Sequence, residues 1–123
     1  MELEYEDLTQ KIIGAAIDVH KELGPGFLES VYENSLAIEL QQRHLEVVQQ
    51  KELRIFYKGY QVGMHRTDLI VEDKILIELK AIKSIENIHF AIARSCLKAC
   101  NLKHGLILNF NTIPLEIKRV IVS

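Results

Sequence analysis

The sequence has no tryptophan, two prolines, two cysteines and no apolar run of bilayer-spanning length, and each shortage narrows what the chain can be. Lacking such a run, it does not read as a helical membrane protein. The two cysteines, Cys96 and Cys100, stand four apart in a helix-like stretch, a poor arrangement for a disulfide and one that suits a reducing compartment. Positive charge is not in excess: the net charge of -2 is not that of a nucleic-acid coat protein, so phosphate binding would need a local basic patch. The opening "MELEYEDL" is acidic, with no apolar stretch behind a basic flank, and does not read as a signal peptide; the cytoplasm is the expected location. No repeat, low-complexity tract or Ser/Gly/Pro linker divides the 123 residues, so residues 1–123 are expected to form one domain.

What is present is an ordinary globular mixture, with 48% hydrophobic residues to build a core and 26% charged residues to cover it. The strongest punctuation is "LGPGF", residues 23–27, which separates two amphipathic helices. Leu8, Ile12, Ala16, Val19 and Leu23 recur at helical spacing before it, and Leu28, Val31, Tyr32, Ser35, Leu36 and Leu40 after it. From about residue 46 the period becomes that of strands. Three runs broken at "KG" and "EDK" read as an antiparallel meander. A helix over about 85–102, apolar on most sides, and two closing strands, "GLILNF" and "EIKRVIV", complete the order ααβββαββ: an α/β domain with a mixed sheet flanked by helices.

Within the meander, "RTDLIVEDKILIELKA" places Asp68, Glu78 and Lys80 among residues that favour burial, where a lone charge is costly. Residues two apart in a strand share a face, so Glu78 and Lys80 point one way and Ile75, Ile77 and Leu79 the other. A three-residue loop over 72–74 sets Val71 against Ile75 and Asp68 against Glu78, and unites Leu69, Val71, Ile75, Ile77 and Leu79 in one apolar face. A two-residue loop would set Asp68 on the face of Leu79 unless a bulge corrected it. Two facing carboxylates repel, and a divalent cation between them reverses that. Magnesium suits one or two carboxylates, keeps water in its other positions and accepts phosphate oxygens. A lysine two residues beyond the second acid can stabilise charge on a phosphate or assist an attacking water.

Asp68, nine residues, then Glu78-Leu79-Lys80 resembles the signature of the PD-(D/E)XK nucleases, with Thr67 in place of the proline before the first acid. "VHKELGPGFLESVYENSLAIEL", with Gly26, Glu29 and Tyr32 at the naming positions, resembles the opening of the small bacterial GxxExxY family, and the likeness continues through "YKG", "TDLIVEDKILIELKA" and "GLILNF" to "KRVIV". The resemblance implies a restriction-endonuclease-like core and a nuclease-like hydrolase using Mg²⁺ or Mn²⁺ on nucleic acid, with DNA as the expected partner. Asp68 and Glu78 would be metal ligands, Lys80 and Glu29 catalytic, and Tyr32 and His89 supporting residues. One stretch departs from the family. Where it usually reads "H-x-A-Q-L-L-N-Y-L-K", this chain has "HFAIARSCLK": His89, Ala91, Leu97 and Lys98 match, but Ile92 replaces the Gln and Cys96 the Tyr. An isoleucine offers none of the hydrogen bonds of an amide.

Plainer readings stand beside these. Asp68, Glu78 and Lys80 would also fit a strand-end salt-bridge cluster with Arg66. Glu29 would offset a helix dipole, Tyr32 would be a packed aromatic, and His89 would serve the start of its helix. Cys96, Cys100 and His104 have the spacing of half a zinc site with no second pair nearby, and read as packing thiols; His20, His44 and His65 carry no spacing signal. Gly24, Pro25 and Gly26 shape a turn rather than a phosphate cradle, since no Lys-Ser/Thr follows. Lys51, Arg54, Lys58, Lys83, Arg94 and Lys98 would form a phosphate-facing rim or a solvated surface. A non-catalytic binding or assembly module is the rival function, favoured by Ile92 and Cys96, and a metal-dependent hydrolase of another substrate is a third. A domain this small has little surface for a duplex, which makes a homodimer or a protein partner reasonable.

Overall fold

The structure is a computed structural model that describes residues 5–123, so Met1 to Glu4 of the acidic opening lie outside the described residues. In chain order the elements are α1 (Glu6–Leu23), α2 (Glu29–Gln42), β1 (Val47–Gln49), β2 (Glu52–Tyr57), β3 (Tyr60–Arg66), β4 (Leu69–Val71), β5 (Ile75–Lys80), α3 (Asn87–Ala99), β6 (His104–Asn109) and β7 (Glu116–Ile121). The expected α/β class with a mixed sheet is what forms. The meander is more divided than expected: its first two runs each break once, so three strands become five and the order is ααβββββαββ.

The main sheet has the order β1-β4-β5-β6-β7, and only β5 and β6 run parallel, joined by the α3 crossover. β2 and β3 form a separate antiparallel ribbon. The two arms of the long hairpin leave the main sheet together. At the bend Gln50 takes a left-handed φ of 54, its N–H donates to the Asp68 carbonyl at 3.1 Å, and the Thr67 N–H donates to the Lys51 carbonyl at 3.0 Å. Pairing therefore continues through the bend, as buried backbone groups require.

The period of two then sorts side chains into two cores. Leu69, Val71, Ile75, Ile77, Leu79, Leu106, Leu108 and Phe110 face α1 and α2, packing on Ile12, Ala16, Tyr32, Leu36 and Leu40. Ile70, Leu76, Ile107 and Val120 face α3 and the ribbon, packing on Leu53, Ala93, Cys96 and Leu97. α3 is shorter than the expected 85–102 and is not apolar-packed on most sides: Ala93, Cys96 and Leu97 are buried, while Ile88 and Ile92 are exposed. Leu28, expected inside the second helix, precedes it and is exposed. The loop after β5 is tied down by Asn109, fully buried, whose amide donates to the Ile82 carbonyl at 2.9 Å and to Glu116 Oε1 at 3.0 Å and accepts from the Ile82 N–H at 3.1 Å.

α1 stops because Gly24 adopts φ 67, which glycine reaches without a Cβ penalty, and Gly26 follows at φ 112. The turn is closed by Tyr32, whose hydroxyl donates to the Gly24 carbonyl at 2.6 Å and accepts from the Phe27 N–H at 3.1 Å, while its ring stacks on Phe110 with centroids 4.6 Å apart. Tyr32→Phe keeps the stack but leaves the carbonyl and the N–H without that partner. It is expected to cost about 1–3 kcal/mol, read as a lower urea midpoint with an unchanged slope.

Candidate metal and active site

The turn between β4 and β5 sets the site. Leu69 pairs with Ile77, Ile70 with Leu76 and Val71 with Ile75, which is the register of a three-residue loop and brings Asp68, the residue before β4, opposite Glu78. The Asp68 carboxylate accepts the Leu79 N–H at 2.8 Å through Oδ2. Glu78 belongs to the strand face that looks toward α3, in a row with Leu76, and Lys80 lies two residues on, at the end of the strand. Glu78 is 7% exposed, and its Oε1 has no hydrogen-bond partner among the described residues.

Burial, and then the neighbouring Asp68 charge, push the Glu78 carboxyl up to about 7, against the pull of Lys80 and of a hydrogen bond with the Cys96 thiol. Asp68 is also raised, first by burial and then by Glu33 and Glu29, while the Leu79 N–H and Lys80 oppose the shift. Burial followed by the Glu78 charge takes the Cys96 thiol up to about 12. Two carboxyls that resist ionisation, opposite each other and with one buried oxygen unpaired, are a donor set that fits a hard divalent cation; Asp68 and Glu78 would hold it.

α2 brings more negative charge to this edge. Glu29, exposed in the first turn, acts electrostatically on both Asp68 and Glu78. Glu33, one turn later and buried, went unnoticed in the sequence because an acid on an apolar helix face carries no periodic signal. Its Oε2 accepts from Gln49 at 3.0 Å and its Oε1 from Gln50 at 2.7 Å, which ties α2 to the bend beside Asp68. Tyr32 spends its hydroxyl on the turn that launches α2 and so acts on the site through the position of Glu29. His89 accepts the Glu86 N–H at 2.8 Å in a reciprocal capping box, so its ring serves the start of α3. Arg66 pairs with Glu52 at 2.9 Å, while Lys80 acts electrostatically on both Asp68 and Glu78. Lys51, Arg54, Lys58, Lys83, Arg94 and Lys98 are all exposed.

Cys96 does not gather with Cys100 and His104. Among the described residues, the group whose ligand atoms all lie within 4.8 Å of one another is His65, Glu78 and Cys96. Ile92 and Cys96, the two departures on α3, line one apolar cavity of about 440 Å³ between that helix and the ribbon, with His65 on the opposite wall.

A carboxyl whose folded pKa of about 7 exceeds its ordinary 4.5 binds its proton more tightly in the folded chain. Its contribution is full below about pH 4.5 and is lost as pH rises through 7, a fall of roughly 3 kcal/mol for Glu78. In chelator, urea unfolding should therefore show stability dropping between about pH 5 and pH 8, and Glu78→Gln should remove most of the slope. A flat profile for the parent chain, or an equal slope in the variant, would contradict the burial of an ionisable Glu78.

None of the described helices is long and apolar enough to cross a membrane. No curated protein and no solved structure matches the chain significantly. The family model described as the PD-(D/E)XK nuclease superfamily matches residues 6–120, a span from the first residue of α1 into β7, and the five-stranded mixed sheet flanked by helices is the restriction-endonuclease-like architecture of such proteins. The chain belongs to the PD-(D/E)XK nuclease superfamily.

Proposed function

We propose that the chain is a cytoplasmic, magnesium-dependent hydrolase of phosphodiester bonds in nucleic acid, DNA by preference, and a member of the GxxExxY branch of its superfamily. The observation that carries this reading is the buried Glu78 carboxylate, with an unpartnered oxygen, opposite Asp68 and followed on the same face by Lys80. The branch assignment is supported by the physical roles of its naming residues: Gly26 turns the chain at φ 112, Glu29 opens α2 beside the acids, and Tyr32 locks the turn between them.

Asp68 and Glu78 would hold Mg²⁺, with Mn²⁺ as a substitute, and the bound ion supplies a Lewis acid for a phosphoryl oxygen and a more acidic water. Lys80 holds positive charge on the same face, where it orients the attacking water and offsets charge that develops on the phosphate. Water oxygen bonds to phosphorus as the bond to the leaving sugar oxygen breaks. Glu29 completes the negative shell from the helix side. A second copy of the chain would add the surface that one small domain lacks for gripping a duplex.

Thermal melts test the ion. Mg²⁺ at a hundredfold excess over its dissociation constant should stabilise the parent chain by roughly 2.7 kcal/mol, and Asp68→Asn much less, with no loss of stability in chelator. A destabilised Asp68→Asn beside a magnesium-insensitive parent would end the metal reading. Lys80→Ala should keep the stabilisation by Mg²⁺ and lose about 10²- to 10³-fold in cleavage rate.

The binding-module reading is favoured by one observation: at positions 92 and 96 α3 offers an isoleucine and a thiol, with no amide or phenol at the edge of the site. Ile92→Gln should raise cleavage of single-stranded DNA, duplex DNA or RNA while leaving magnesium stabilisation unchanged. No cleavage by either protein, with the ion bound, would make this chain a binder.

A further inference from the structure

We propose that His65, Glu78 and Cys96 form a site for a borderline-soft divalent cation, zinc by preference, beside the cavity between α3 and the β2–β3 ribbon. The three residues come from β3, β5 and α3, and one ligand atom from each lies within 4.8 Å of the other two. Zinc bonds to imidazole, carboxylate and thiolate span about 2.0–2.3 Å, so two ligands of a tetrahedral ion sit about 3.3–3.8 Å apart. Small side-chain rotations would close all three around one ion.

A second observation is independent of that spacing. Glu78 Oε1 and His65 Nε2 are both buried and both lack a hydrogen-bond partner among the described residues, and their residues belong to the same cluster. Buried polar atoms are rarely left so, and two of them on residues of one cluster point to a shared occupant. Water could hydrogen-bond to the imidazole and the carboxylate, with the Cys96 thiol donating to Glu78; the sulfur beside them is what favours a metal ion over water. The donor chemistry is selective as well: one sulfur, one nitrogen and one oxygen form a set that suits zinc and that magnesium, which prefers oxygen, does not use.

Three protein ligands leave a tetrahedral ion one open position. His65 and Cys96 both line the cavity of about 440 Å³, whose remaining wall is mostly apolar, with Leu53, Ile55, Ile88 and Ile92 among its residues. The fourth ligand would therefore be water, or a donor atom carried on an apolar body that fills the cavity. The site needs neither Asp68 nor Lys80 and does not rest on the nuclease reading. It does share Glu78 with that reading, so zinc and magnesium would compete for one carboxylate.

Cobalt(II) is the probe. Titrated into the parent chain, one equivalent should give intense tetrahedral d–d bands together with a near-ultraviolet sulfur-to-cobalt charge-transfer band, both bleached by equimolar Zn²⁺. Cys96→Ser should abolish the charge-transfer band, Cys100→Ser should retain it, and His65→Gln should weaken binding by at least about tenfold. Asp68→Asn, which removes the magnesium pair, should keep the full cobalt spectrum, so the two readings fail separately. X-ray absorption of the zinc-loaded parent chain needs no variant and should show one sulfur, at about 2.3 Å, among nitrogen and oxygen ligands. The absence of a thiolate band at saturating cobalt, a band that survives Cys96→Ser, or a zinc shell of nitrogen and oxygen alone would each overturn the site.

Discussion

The pairing of Val71 with Ile75 across a three-residue turn is the constraint on which both proposed sites depend. With one residue fewer, every side chain of β5 would change face relative to β4, and Asp68 would no longer oppose Glu78. The turn is strained, since Glu72 and Asp73 both sit in the left-handed region at φ 54 and 55, a conformation that costs about 1–2 kcal/mol per ordinary residue. Hydrogen bonds hold it there. The Lys74 N–H donates to the Val71 carbonyl at 3.0 Å, the Glu72 N–H to the Glu46 carbonyl at 2.8 Å, and the Glu46 N–H to Glu72 Oε2 at 2.6 Å. The strand next to β4 thus helps to fix the loop that places the acids.

The bend at Gln50 and Thr67 makes the second contribution. If β3 and β4 were one straight strand, His65 would remain in the plane of the main sheet, level with Ala81 and three residues along the strand from Glu78. Because the ribbon turns out of that sheet, Leu53 and His65, paired across it, come to lie over α3. One side of α3 therefore faces the sheet through Ala93 and Leu97, and another faces the ribbon across the cavity. Cys96 stands where the two sides meet, and for that reason it alone of the two cysteines reaches Glu78.

These origins explain what could be read in the sequence. The two N-terminal helices and the Asp68–Glu78 register were legible because each follows from a strict local period, 3.6 or 2, that a continuous apolar face enforces. The ribbon was not, since a strand that bends between sheets keeps its residue types and changes only its neighbours; "QVGMHRTDLIV" looks like one run throughout. His65 was invisible for the same reason: its partners lie on β5 and α3, and no spacing within the chain expresses that proximity. Glu33 and Asn109 are buried polar residues whose role lies in tying loops to neighbours, and their hydrogen bonds exist only once the fold has formed. Ile88 and Ile92 misled in the opposite direction, as their apolar character marked a packed face where the structure has an open one.

Glu78 links the two sites through a single free-energy problem. A carboxyl buried on the face of β5 that looks toward α3 stands where an apolar residue would be more stabilising, and its opposition to Asp68 adds repulsion. The fold tolerates this because the rest of β5 and its neighbours form two nearly continuous apolar faces, so the deficit is confined to one end of the strand. A group kept in such surroundings interacts strongly with whatever cation reaches it, since few competing donors satisfy it beforehand. Which cation wins is then decided by the neighbours: Asp68 with Lys80 on one flank present oxygen and a charge suited to phosphate, while His65 with Cys96 on the other present nitrogen and sulfur. Ile92 and Cys96 would tip that balance toward the second flank, since neither offers an amide or a phenol to the first and the thiol adds a soft donor to the other.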